Sequence, residues 1–207
     1  MSFASLPEDI VAQERDILDL QNNLSTAYLE LGRHEDAVRV QRDLYLGCVR
    51  LYGEDHEQTL NIASDYAASL RRQHQAEARS LMRKTMPVAR RVLGESKDTT
   101  LLMRWNLARA LYVDPDATLD NLREAVMTSE ESERIALRVL GDSHELTADF
   151  GNESRAARAA LAAVVQVPGV APVDALAISD LSGSELATFF ESRLSALATE
   201  DAEEAAD

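Results

Sequence analysis

Three short stretches of this chain share one pattern. Residues 53–59 read GEDHEQT, residues 94–100 read GESKDTT, and residues 141–147 read GDSHELT. Their glycines lie 41 and then 47 residues apart. Similarity at a period of about 20–50 residues is typical of solenoids, in which each repeat is one small structural unit. The spacing therefore predicts a solenoid, and solenoids usually present long surfaces for binding.

Each stretch carries residues that suit the end of one helix and the start of the next. The glycine follows an apolar pair, and glycine suits the left-handed position just past a helix because it has no Cβ. Two residues later come Asp55, Ser96 and Ser143, whose side-chain oxygens can cap a helix N-terminus. Gln58 would complete a capping box with Asp55. Each stretch is therefore predicted to be a tight connector between two helices.

The composition favours an all-α protein, and the sequence is that of a soluble one. The 207 residues are 45% hydrophobic but only 5% aromatic, with 8 Gly and 5 Pro, a balance that suits helices. The net charge of −15 opposes a nucleic-acid or anionic-membrane partner. It permits a basic partner, although solubility is the simpler explanation. Since Cys48 is the single cysteine and no signal peptide or membrane span is apparent, we expect a cytoplasmic location.

Aligning the connectors predicts a repeating unit of a first helix (A), a turn and a second helix (B). The first unit begins near Ile17, the second covers about 56–93, the third about 97–140, and a fourth A helix about 144–166. In the first A helix, Leu24, Ala27, Tyr28 and Leu31 follow the spacing of an amphipathic helix. We therefore predict helical repeats over residues 1–166.

The repeat pattern stops after residue 166. Residues 167–181 contain Pro168, Gly169 and Pro172, which break helices, so this segment is predicted to be a linker. Residues 182–199 have apolar side chains at helical spacing and are predicted to form a capping helix over the end of the array. An amphipathic helix that binds a partner is the alternative for this segment. Residues 200–207 are predicted to be a disordered acidic tail.

The repeat resembles the tetratricopeptide repeats of kinesin light chains, which run about 42 residues and follow a pattern close to G-x-x-H-x-x-T-L and then N-x-L-A. The matching residues are Gly53, His56, Thr59 and Leu60; Gly94, Thr100, Leu101, Asn106, Leu107 and Ala108; Gly141, His144 and Thr147; and, in the first unit, Asn23, Leu24, Gly32 and Ala37. Asp65 stands in place of the Asn, and Lys97 in place of the His. The resemblance covers roughly residues 14–165. It implies a right-handed superhelical array of antiparallel helix pairs, a tetratricopeptide-like α-solenoid. No heptad-rich segment that could be a kinesin-binding coiled coil is apparent in the sequence.

The resemblance also implies that the A helices line a concave groove that binds a peptide or a partner protein. The residues then expected in this groove are Asn22, Asn23, Thr26, Asn61, Asp65, Arg72, Trp105, Asn106 and Arg109. An asparagine amide can donate to and accept from a peptide backbone, an arginine can pair with a carboxylate, and a tryptophan can act as an apolar anchor. The alternatives are structural: Asn23 and Asn106 would bond between neighbouring helices, Trp105 would pack between helices, and Arg72 would belong to a solvated helix end.

The sequence contains no recognisable catalytic motif. Its four histidines lie in connectors or near turns and lack zinc-ligand spacing, and neither a phosphate-binding glycine loop nor a nucleophile elbow is present. We therefore expect no enzyme activity, no cofactor and no metal. The function expected is that of a protein-binding scaffold, as a monomer or weak homo-oligomer. The alternative is a structural, self-associating protein, because Phe3, Leu6 and Ile10 would face outward at the N-terminal edge.

Overall fold

The structure, a computed structural model, describes residues 8–70 and 74–165 of the chain. These residues form seven α-helices and no strand, which confirms the predicted all-α helical repeat. The helices are α1 (Glu8–Glu30), α2 (His34–Tyr52), α3 (Glu57–Leu70), α4 (Gln75–Val92), α5 (Asp98–Tyr112), α6 (Leu119–Leu140) and α7 (Glu145–Val165). The odd-numbered helices are the predicted A helices and the even-numbered ones the B helices. Phe3, Leu6, Arg72 and the linker, capping helix and tail predicted for 167–207 lie outside the described residues.

The described residues divide into two compact units. From here on, the first and second units are these two and not the helix-pair repeats of the sequence. The first unit holds residues 8–70 and 80–103, and the second holds residues 74–79 and 104–165. Within the first unit, α2 packs against both α1 and α3. Within the second unit, α6 packs against α7.

The core of the first unit depends on a close approach of α1 to α2. Leu18 of α1 and Leu44 of α2 are buried, and a Cβ built on Gly47 would lie only 2.5 Å from the Cδ2 atom of Leu18. The rings of Tyr45 in α2 and Tyr66 in α3 stack with their centroids 6.2 Å apart. The absent side chain at position 47 is therefore what allows the leucine to enter the α1–α2 interface.

The apolar face predicted for α1 differs from the one that the fold buries. Leu24, Ala27 and Leu31 are exposed, whereas the buried residues of α1 are Leu18 and Ser25. The physical reason is that α2 covers only one side of α1, and in the first unit no other described helix packs on the leucine side. The amphipathic spacing was thus a correct sign of a helix but not of which side is covered.

Gly53, Gly94 and Gly141 lie just past the ends of α2, α4 and α6 and have φ angles of 92°, 90° and 85°. For Gly53 and Gly141 the ψ angles are 167° and 169°, so the predicted left-handed helical conformation is wrong. The backbone is instead extended with positive φ, a region that is essentially restricted to glycine. The sequence therefore has glycine here for the predicted reason, the absence of a Cβ, although the conformation is a different one.

A histidine caps the helix that follows two of the three connectors. The Nδ1 atom of His56 accepts a hydrogen bond from the backbone N–H of Gln58 at 3.1 Å, and Nδ1 of His144 accepts one from the N–H of Leu146 at 3.2 Å. The carbonyls of the same histidines accept the first helical bonds of α3 and α7. Both imidazoles therefore satisfy a backbone donor that has no partner inside the helix.

The capping residues predicted from the sequence are correspondingly wrong. Asp55 pairs with Arg91 at 2.8 Å, and the Ser143 hydroxyl donates to the carboxylate of Asp142 at 3.0 Å, so neither caps a helix. In the remaining connector the residue at the capping position is Lys97, whose carbonyl accepts the first helical bond of α5. Ser96 lies one residue too early to be the N-cap. Asp and Ser are the statistically favoured caps, but the helices begin one residue later than that preference indicates.

Candidate functional site

The first group of predicted site residues lies on the surface of α1. Asn22, Asn23 and Thr26 are all exposed, and Asn22 lies one helical turn after the buried Leu18. The Thr26 hydroxyl donates to the backbone oxygen of Asn22 at 3.2 Å. This bond leaves the two asparagine amides at the surface, where each offers a donor and an acceptor to a backbone that approaches from outside.

In α3, Asn61 holds two A helices of the first unit together. It is half-buried, and its Oδ1 atom accepts a hydrogen bond from the hydroxyl of Thr99 in the first turn of α5. Asn61 therefore has a structural role, which restricts the part of its amide that a ligand could reach.

Asp65 is an exposed residue of α3 whose carboxyl group is nevertheless partly desolvated. Burial among protein atoms raises the pKa of this carboxyl above its usual 3.8, because a low-dielectric environment disfavours the charged form. The resemblance to the repeat family places an asparagine here. The charged side chain thus carries a solvation cost that a hydrogen-bond donor from a ligand would reduce.

Trp105 of α5 packs inside the second unit. Its ring meets that of Phe150 in α7 edge-to-face, with centroids 5.6 Å apart and planes at 60°. The indole Nε1 atom is buried and has no hydrogen-bond partner among the described residues. This arrangement fits the structural alternative, in which the tryptophan packs between helices.

Arg109 is also part of the interior of the second unit. Its Nη1 atom lies 3.6 Å from Oε2 of Glu153 in α7, and both side chains are almost fully buried. The other Glu153 oxygen accepts a hydrogen bond from the hydroxyl of Tyr112 at 2.7 Å. Asn106, one turn earlier on α5, is buried as well. Arg109 and Tyr112 tie α5 to Glu153 of α7. Ligand binding at Asn106 and Arg109 remains a prediction that their burial does not favour.

A second buried arginine of α5 is balanced in the same way. Arg104 Nη1 lies 2.6 Å from a carboxylate oxygen of Glu131 in α6. A buried charge without a partner is very costly, so each arginine of α5 needs its own acid. Glu153, Tyr112 and Glu131 were not among the site residues predicted from the sequence. The one signal for Glu153 was the repeat alignment, which places this acid at the position that Asn106 occupies in the preceding helix-pair repeat.

An open cleft of about 460 Å³ lies along α6 and α7 in the second unit. Its arginines are already engaged: Arg158 lies 3.5 Å from Glu130 and 4.0 Å from Glu133, and Arg155 donates to the side chain of Asn152. The cleft consequently presents charges of both signs, from Glu133, Asp142, Arg155 and Arg158, and has no evident preference for an anion or a cation.

The described residues contain no group of three or more His, Cys, Asp and Glu side chains that could hold a metal ion. None of the helices in these residues is long and apolar enough to cross a membrane. Cys48 is buried, and desolvation, with a smaller contribution from Asp19, raises the pKa of its thiol to about 11. Cys48 is therefore a small core residue, because the reactive form of cysteine is the thiolate.

A family model described as tetratricopeptide repeat matches residues 17–58. The match covers α1 from Ile17, all of α2 and the first connector, and it confirms the predicted family of repeat. Tetratricopeptide repeats generally mediate protein–protein interactions. No curated protein matches this chain.

Proposed function

From the tetratricopeptide repeat at residues 17–58, we propose that this chain is a non-catalytic protein-interaction module. Its binding face is the polar side of the A helices in the first unit, and its ligand is a peptide or an extended segment of a partner protein. The main support is that Asn22, Asn23 and Thr26 are all exposed on α1 within the matched repeat. Polar side chains on a rigid helix hold their hydrogen-bonding groups in place for a ligand.

Asn22 and Asn23 provide the central contacts in this proposal. Each amide can donate and accept, and so can pair with a peptide backbone whatever the ligand's side chains are. Asp65 of α3 adds a carboxylate that would favour an N–H or cationic donor, because such a bond would offset its desolvation. Trp105, Asn106 and Arg109 support the interior of the second unit in this proposal.

The test uses two matched triple variants in an affinity capture from the native cell extract. The first replaces Asn22, Asn23 and Thr26 with alanine, and the control replaces the exposed Arg42, Asp43 and Leu46 of α2. All six side chains are at the surface, so far-UV circular dichroism should remain that of the wild type. We expect the α1 variant to lose the captured partner and the α2 variant to keep it. Equal capture by both variants would reject the proposed face.

A further inference from the structure

A second face of α1 carries apolar side chains that nothing in the first unit covers. They recur with the three- and four-residue spacing of a heptad pattern, in which one face of a helix meets a neighbouring helix. We name the set the α1 heptad stripe; its apolar members are Ile10, Ile17, Leu20, Leu24, Ala27 and Leu31, and the seventh member, Gln13, is polar. All seven are exposed, and the exposed fraction of the large ones ranges from 39% for Ile10 to 72% for Leu31. At roughly 100° per residue, this stripe lies on a different side of α1 from Asn22 and Thr26.

The corresponding positions of α3 show what packs against this face of an A helix. The repeat alignment, which sets Asn23 against Asp65, places Thr59 at the position of Ile17 and Tyr66 at the position of Leu24. Thr59 and Tyr66 are buried.

Both of these α3 residues contact the preceding B helix. The Thr59 hydroxyl donates to the backbone oxygen of Cys48 in α2 at 3.3 Å, and the Tyr66 ring stacks on Tyr45 of α2. This register of an A helix is therefore the side on which a helix packs. In α1 the same register is apolar and has no helix on it among the described residues of the first unit.

The charges beside the stripe indicate which helix would fit. The residues that precede Ile10, Ile17, Leu24 and Leu31 form one edge of the stripe, and all four are exposed. These residues are Asp9, Asp16, Asn23 and Glu30. Three carboxylates in four positions favour lysine or arginine in the matching positions of a partner helix, since charges flanking a helix–helix contact select the partner.

The same edge disfavours a second copy of this chain. An antiparallel pair of α1 helices would bring Asp9 of one copy near Glu30 of the other, and facing like charges oppose association. We propose that the α1 heptad stripe docks an amphipathic helix of another protein, whose apolar stripe is flanked by lysine and arginine. This contact uses a different face of α1 from Asn22 and Thr26 of the proposed function, and the two faces meet at Asn23.

Three synthetic peptides of about 28 residues, four heptads, test the proposal. One has leucine at the a and d positions and lysine at the e and g positions, the second has glutamate at e and g, and the third has the composition of the first in scrambled order. Each carries a fluorophore and is used at nanomolar concentration, so that it does not pair with itself. Fluorescence anisotropy is followed while the full chain is added. The lysine-flanked peptide should bind saturably, and the other two should not.

Variants of the chain then locate the contact. The double variant Ile17→Gln and Leu20→Gln should weaken binding at least tenfold, whereas Met127→Gln, at an exposed residue of α6, should leave it unchanged. Reversing the edge with Asp9→Lys, Asp16→Lys and Glu30→Lys should transfer the preference to the glutamate-flanked peptide. Both variants alter exposed positions, and the second one leaves every apolar side chain in place.

Several outcomes would overturn the proposal. One is binding of the scrambled peptide as tight as that of the ordered one, which would mean attraction to the negative chain alone. Another is wild-type affinity in the Ile17 and Leu20 variant, and a third is no binding of the lysine-flanked peptide. Sedimentation showing a dimer that the same variant dissociates would identify a second copy as the occupant, against our assignment.

Discussion

Replacing His144 with alanine should destabilise α7, because its imidazole caps the first turn of that helix. The Nδ1 atom of His144 accepts a hydrogen bond from the backbone nitrogen of Leu146, 3.2 Å away. Loss of an N-cap acceptor typically costs about 0.5–2 kcal/mol. The site is exposed, so water can replace part of the bond, and we expect about 1 kcal/mol. With a urea m-value of about 1–3 kcal/mol/M, the midpoint should fall by about 0.3–1 M.

The measurement is urea unfolding followed by far-UV circular dichroism and by tryptophan fluorescence. Trp105 is the single tryptophan and contacts Phe150 of α7, so its emission reports on the helix in question. Two controls separate the cap from its neighbour. Ser143→Ala should leave the midpoint in place, because its hydroxyl bonds only an exposed carboxylate, and His144→Asn should retain most of the stability, because asparagine is a good cap. A cost for Ser143→Ala equal to that for His144→Ala would refute the assignment.

Three further substitutions test the packing and the charges. Gly47→Ala should destabilise the fold by up to about 2 kcal/mol, because overpacking against Leu18 costs about 1–3 kcal/mol and helix propensity returns about 1; an increase in the urea midpoint would contradict the close approach. Asp65→Asn should stabilise the fold at neutral pH. The folded-state pKa of this carboxyl is raised, so the wild type loses stability as pH rises through that pKa. The gain in thermal stability from the substitution should therefore vanish as pH falls to about 3.8 and below, where the carboxyl is protonated in both states. A gain independent of pH would refute desolvation of Asp65 as its cause. Glu153→Ala should cost about 3–5 kcal/mol in urea unfolding, because Arg109 would stay buried without its acid; a loss below about 0.5 kcal/mol would show that the pair is unimportant.

The repeat architecture was predictable from the sequence because its signals are local. A glycine after an apolar pair and a threonine six residues after that glycine recur in every connector, and both depend only on neighbouring residues. The predicted family and the alternation of A and B helices follow from these signals. The capping residues were displaced by one position, because His56 and His144 accept through Nδ1, a role that general preferences assign to Ser, Thr, Asp and Asn.

The positions of the candidate site residues could not be predicted as well. Whether an A-helix side chain is exposed depends on which helices pack around it. The set of neighbouring helices differs between the first helix-pair repeat and the later repeats. Asn23 and Asn106 share the same repeat position, yet the first is exposed and the second is buried. The partner of Arg109 is 44 residues further along the chain, at Glu153, and only the packing of α5 against α7 brings the two together.

The central claim, that this chain binds a partner protein through α1, is tested most directly by site-specific photo-crosslinking in the native extract. A photo-crosslinking amino acid is placed in turn at Asn22, on the proposed binding face, and at Arg42, an exposed control position on α2. We predict that one defined protein is crosslinked through position 22, with much lower yield through position 42. Equal yields at the two positions, or a crosslinked product only at position 42, would contradict it.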